Sequence, residues 1–137
     1  MTKEVTAAIM INDGKVLIAK RKDGNIKGKW EFPGGKLEKN ETYEECLMRE
    51  IYEELKMKVK IVMPFEKVVH EYEGGKINLI SFIVKPLSLD YKLSVHDDAA
   101  WVKVEEIENF DLAPADIPIA KKLKEEFYNI VKKIEEA

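Results

Sequence analysis

The feature that most restricts this chain is a helix that carries a carboxylate inside its own packing stripe. Residues 42–55 read TYEECLMREIYEEL. Thr42 with Glu45 three residues on is a capping box, in which each side chain satisfies a free backbone N–H at a helix start, and helical spacing runs on to about Lys56. At roughly 100° per residue, Tyr43, Leu47, Ile51 and Leu55 form one apolar stripe. Glu54 falls inside that stripe, Glu50 lies at its edge and Glu53 just beyond, whereas Glu45, Arg49 and Lys56 lie on the opposite face. An isolated charge on a packing face is destabilising by several kcal/mol unless it is paired or bound to a cation. Spacings of three and four bring Glu50, Glu53 and Glu54 together on one side of the helix, and a divalent cation is the simplest way to offset their repulsion. An all-oxygen ligand set favours Mg²⁺ or Mn²⁺ over zinc.

The flanking residues decide against the bland alternative, in which glutamate, a good helix former, merely decorates a solvated face. Gly34 and Gly35 precede the helix and allow a backbone carbonyl to approach an ion with no side chain in the way. Arg21 and Lys36 place positive charge where phosphates could sit.

Around this stretch the pattern is that of a small mixed domain. VTAAIMI (5–11) and VLIAK (16–20) are β-rich runs joined by Asn12-Asp13-Gly14-Lys15, a hairpin signal. A polar loop over 22–29 leads to a short strand at Trp30–Phe32. Residues 59–73 and 76–85 read as a second hairpin around Gly74-Gly75, and a strand is predicted over 100–104. A last amphipathic helix, about 117–135, carries Ile119, Leu123, Phe127, Ile130, Val131 and Ile134 on its apolar side. Mixed strands with one internal and one terminal helix imply a mixed or antiparallel sheet with a helix on each face.

At 137 residues the chain suits one domain spanning 1–137. The net charge of −3 argues against nonspecific binding to nucleic acid or anionic membrane. The apolar run Val5–Ile11 is too short for a targeting or membrane segment. The single cysteine, Cys46, excludes an internal disulfide, fits a reducing cytoplasm and is expected to pack rather than react.

Gly35, five residues, Glu41, seven residues, then Arg49-Glu50-Ile51-x-Glu53-Glu54 resembles the Nudix box of the Nudix hydrolases. One position departs: where the family usually has glycine near the end of the box, this chain has Lys56. The hairpin ahead of the box, the WEFPGGK lead-in and the segment LAPADIP (112–118) resemble the MutT-type branch, LAPADIP being most similar to bacterial CTP pyrophosphohydrolases. The resemblance implies an α/β Nudix fold, a mixed β-sheet between helices (α/β/α), and Mg²⁺-dependent hydrolysis of nucleoside triphosphates to monophosphate and pyrophosphate. No nucleophilic side chain is required. It further implies that Glu53, Glu54 and the Gly34 carbonyl ligate the metal, and that Glu50 is a further ligand or the base that activates water. Arg49 and Glu41 would orient the glutamates, and Arg21 and Lys36 would touch the phosphates.

Many relatives add an acid from the loop before the late strand. Asp97 is the choice here, with Asp98 and His96 behind it; His96 otherwise reads as a solvated loop residue, and His70 as structural. Phe32 either packs on the nucleobase or is a plain core residue. Asp116 either accepts from an exocyclic amine such as cytosine N4 or caps the last helix. The expected substrate is therefore CTP or dCTP or a modified pyrimidine nucleotide. The competing readings are an 8-oxo-dGTP diphosphatase and a nucleotide-sensing module without catalysis, which the three intact glutamates disfavour. The protein is expected as a monomer or homodimer.

Overall fold

The computed structural model describes residues 2–137. Its strands are β1 (Thr2–Asn12), β2 (Lys15–Arg21), β3 (Trp30–Glu31), β4 (Val59–Tyr72), β5 (Gly75–Pro86) and β6 (His96–Lys103), with helices α1 (Tyr43–Leu55) and α2 (Ile117–Glu136). Short 3₁₀ segments at Val104–Asn109 and Pro114–Asp116 connect β6 to α2. The predicted Asp13-Gly14 turn is present, with φ of 52° and 73°. Two successive left-handed residues match the twist of the strands they join. The second hairpin turns at Glu73-Gly74, with Tyr72 opposite Gly75.

The sheet is mixed. β1 runs parallel to β5, from Thr2↔Lys76 to Met10↔Val84, and β5 runs antiparallel to β4. β2 pairs antiparallel with β3 and β6. β1 and β2 stay paired only near their turn, at Ile11↔Val16 and Asn12↔Lys15. Beyond that they part, and residues 30–36 fill the gap. Ala19 and Lys20 of β2 pair with Glu31 and Trp30. The Ala8 and Thr6 N–H groups of β1 donate to the Pro33 and Gly35 carbonyls at 2.7 and 2.8 Å. This split carries the Glu31–Lys36 segment into the middle of the sheet.

β1 is buried on both sides, as its unbroken AAIMI run requires. Ala8 and Met10 pack with Leu47, Ile51 and Leu55 of α1. Ala7, Ile9 and Ile11 pack with Ile119, Ala120, Leu123 and Ile130 of α2. The sheet is thus held between two helices, as expected. Toward the start of β1, the α2-side face opens into a cavity floored by Val5, Ile77 and Leu79.

Two readings need correction. The late strand begins at His96, not Ala100, because β6 follows the full edge of β2, with Lys20↔Asp98 and Arg21↔His96 across a bulge. One edge of an antiparallel strand tolerates exposed Asp97 and Asp98, so polarity there did not mean loop. His96 itself is 2% exposed and is not a solvated loop residue. Among the described residues no helix is long and apolar enough to cross a membrane.

Candidate active site

The helix start is built as its sequence requires: Thr42 Oγ1 accepts from Glu45 N–H at 3.1 Å, and Glu45 accepts from Thr42 N–H at 2.8 Å. The far end bears on the departure at Lys56. Lys56 is the C-cap, in the left-handed region with φ 57° and ψ 31°. That conformation suits glycine; here lysine adopts it, and the helix exit keeps its geometry.

Glu54 sits on the packing side as predicted, 7% exposed. Its Oε1 is buried with no hydrogen-bond partner, and its Oε2 is 3.5 Å from Arg21 Nη1. Loss of water pushes this carboxyl up from 4.5 to about 8; the Glu31 charge adds to the rise and Arg21 opposes it. Glu50 is also raised, chiefly by burial. Its carboxylate lies directly against Gly35, where any Cβ would collide with it. Gly34 is equally confined, its missing Cβ facing the Thr6 carbonyl. The Pro33 and Gly35 carbonyls accept from β1. By strand alternation the Gly34 carbonyl between them points away from β1.

Arg49 lies opposite the apolar stripe, and its long side chain gathers the carboxylates next to it and one turn on. Nη1 contacts Glu50 at 2.5 Å and Glu53 at 3.2 Å, and Nη2 donates to Glu41 at 2.7 Å and to the Lys36 carbonyl at 3.1 Å. The Arg49 pairing holds the Glu41 carboxyl down at about 2, and the same contact raises the guanidinium further. Among the described residues no three acidic, histidine or cysteine side chains are gathered closely enough to enclose an ion. Arg49 lies between Glu50 and Glu53, while Glu54 faces Arg21. The donor set still fits a hard cation: carboxylate oxygens, one of them buried and unpartnered, beside two glycines that leave the approach clear. Cys46 is buried against Thr6 Oγ1 at 3.4 Å and packs, as expected.

Two adjoining chambers of about 400 and 330 Å³ lie over the sheet beside the Gly34-Gly35 turn. The first is lined by Arg21, Phe32, Gly34, Gly35 and Lys36, the second by His70, Tyr72 and Pro114; Lys3, Glu31 and Asp116 line both. The predicted substrate residues therefore share one cleft. Phe32 is 3% exposed and packs within the core while also lining the first chamber. Asp116 is at the α2 N-terminus but makes no cap hydrogen bond, which corrects the capping alternative. Its Oδ2 instead accepts from the Phe32 N–H at 3.1 Å. Burial, with Glu31 second, lifts its carboxyl well above the ordinary range. Asp97 is exposed, and no hydrogen bond or ion pair ties it to α1 among the described residues.

Sequence reasoning missed Glu31, Lys3, Asn25 and Tyr72, and read His70 as structural where it lines the second chamber. Glu31 carried a faint signal, a carboxylate between Trp30 and Phe32. Lys3, at the start of a strand, carried none.

A split mixed sheet between two helices, with a Gly-Gly turn set against a glutamate-bearing helix, defines a class. The chain belongs to the NUDIX family, whose NUDIX domain profile matches residues 1–123. Members are hydrolases that act on nucleotide substrates and generally use divalent metal ions such as Mg²⁺, and this chain is a MutT-like Nudix hydrolase. It is 36% identical over 117 residues to the CTP pyrophosphohydrolase of Escherichia coli (strain K12), covering 85% of this chain and 87% of that protein. It is 28% identical over 123 residues to the 8-oxo-dGTP diphosphatase of the same organism, covering 88% and 95%. The solution structure of the E. coli ORF135 protein superposes with a TM-score of 0.79 at 35% identity, covering 88% of this chain and 86% of that one. The crystal structure of the MutT protein from Methanosarcina mazei Go1 gives 0.83 at 26% identity, covering 91% and 94%.

Proposed function

We propose that this protein hydrolyses nucleoside triphosphates to the monophosphate and pyrophosphate with Mg²⁺ or Mn²⁺, preferring CTP, dCTP or a modified pyrimidine nucleotide. The observation that carries the reading is Glu54 Oε1: a buried, unpartnered carboxylate oxygen on a side chain that meets Arg21, which lines the same cleft as Gly34, Gly35 and Asp116. Glu53, Glu54, the Gly34 carbonyl and, from β6, Asp97 would hold the cation. When bound, it neutralises charge developing on the phosphates and acidifies a water. Glu50 is either a further ligand or the base that takes that water's proton. Glu41 and Arg49 orient the glutamates through the contacts described above. Lys36 and Arg21 face the phosphate end, Arg21 moving from its carboxylate partners to do so.

Asp116, held by the Phe32 N–H, stands at the base end. Ionised, it accepts from cytosine N4, the reading that the likeness to a CTP pyrophosphohydrolase supports. Neutral, as its burial favours, it offers an O–H that matches a carbonyl, and that observation favours the second reading, 8-oxo-dGTP. A sensor without catalysis fits poorly with three retained glutamates. We further propose a single domain over residues 1–137, cytoplasmic, monomeric or homodimeric.

The test is a panel of canonical and oxidised nucleotides compared by kcat/KM with Mg²⁺, with products identified. Pyrophosphate and monophosphate are expected, with CTP or dCTP ahead. Orthophosphate as first product, or no turnover of any nucleotide, overturns the hydrolase reading; 8-oxo-dGTP ahead of dCTP overturns the base preference.

A further inference from the structure

His96 is fully buried, its side chain having 0% exposure. Nε2 lies 2.8 Å from Glu31 Oε2, while Nδ1 is buried with no partner. A half-satisfied imidazole is destabilising in a core, and an apolar ring or branched chain would fill the space without that penalty. Its one polar contact is with Glu31. Against a carboxylate, which only accepts, Nε2 is the donor.

Glu31 lines both chambers, the first together with Gly34, Gly35 and Lys36 and the second together with His70 and Tyr72. Its other partner is Arg21, 3.4 Å away and shared with Glu54. Arg21 is partly exposed and has two carboxylates to choose between, so His96 is the fixed anchor. The position between phosphates and base is that of the sugar, whose hydroxyls are donors for a carboxylate.

We propose that His96 is a positioning residue for substrate binding: it pins the Glu31 carboxylate at the junction of the chambers, where Glu31 accepts from a sugar hydroxyl of the nucleotide. The inference rests on the nucleotide reading above. It explains why a buried polar atom is left unpartnered, since the same ring holds Glu31 in register with the cleft.

The experiment is a double-mutant cycle of His96→Leu and Glu31→Gln, read as KM and kcat for CTP and 2′,3′-dideoxy-CTP alongside thermal melting. His96→Leu is expected to melt no lower than wild type, yet to raise KM for CTP roughly ten- to a hundredfold, the range for losing one charged hydrogen bond, with kcat changed little. In the Glu31→Gln background it should add nothing, and with the dideoxy substrate its effect should shrink. His96→Gln, which keeps an N–H donor near Nε2, should recover most of the affinity. An unchanged KM in His96→Leu, or effects that simply add, would overturn the proposal. Should His96→Leu fail to fold, His96→Phe, which also lacks the donor, runs the same cycle with Glu31→Gln. If the wild type releases no pyrophosphate, the hydrolase reading fails instead. CTP binding by calorimetry then carries the test, and His96→Leu should still weaken it.

Discussion

Glu54 offers a sharp physical test, because its folded environment opposes its charge. Below pH 4.5 the carboxyl is protonated whether the chain is folded or not, and it carries no penalty. Between 4.5 and about 8 the unfolded chain ionises it while the fold holds the proton, so stability falls as pH rises. Above about 8 it is ionised in both states, and the full penalty of a buried charge remains. Raising a carboxyl from 4.5 to about 8 corresponds to at most ~5 kcal/mol, at about 1.4 kcal/mol per tenfold in acidity. Arg21 at 3.5 Å is already counted in that value, since it is one of the groups opposing the rise. Glu54→Gln keeps the shape and removes the ionisation. In chelator, urea denaturation of the variant and of wild type should agree near pH 4.5, apart from a small constant. At pH 9 the variant should be the more stable by a few kcal/mol. Mg²⁺ should reverse the order by stabilising only wild type, and increasingly so as pH rises. A variant that is no more stable than wild type at pH 9 in chelator would refute a buried, unneutralised Glu54.

The remaining predictions concern charge, backbone and base. Glu53→Gln should lower turnover in Mg²⁺ by orders of magnitude with little change in melting, since Glu53 is largely exposed and its loss removes charge rather than packing; near wild-type activity would remove it from the ligand set. Lys56→Gly should stabilise the fold by about 0.5–1 kcal/mol, because glycine accepts the left-handed φ of 57° without penalty; a lower melting temperature would show that the Lys56 contact over the Tyr52 ring matters more. Asp116→Asn should lower the CTP to UTP ratio of kcat/KM roughly ten- to a hundredfold if the carboxylate accepts from cytosine N4. An unchanged ratio, paired with a retained ratio of dCTP to 8-oxo-dGTP, would leave Asp116 as a structural partner of the Phe32 N–H.

Local chemistry was legible in the sequence because it depends on neighbours along the chain. The Thr42–Glu45 capping box, the Asp13-Gly14 turn and the Leu47, Ile51, Leu55 stripe with Glu54 inside it all follow from spacing alone. Spacing also carried the Nudix box, whose glutamates and glycines are close in sequence. What only the tertiary structure decided is where distant residues meet. β1 and β2 part beyond their turn, so Glu31 enters the sheet beside a histidine 65 residues away. Strand register buries His96 and leaves Asp97 and Asp98 exposed, although the three read alike as a polar run. Arg49 lies opposite the apolar stripe but one turn from Glu53, and its length carries the guanidinium on to Glu50 and Glu41. Asp116 stands where a cap belongs, yet its carboxylate turns to the Phe32 N–H, a partner supplied by the segment that follows β3. A helix wheel records directions and not reach, and a sequence carries no pairing partner for a charged residue in a strand. Sheet register and side-chain length therefore assembled the cleft around a site that the sequence had already marked.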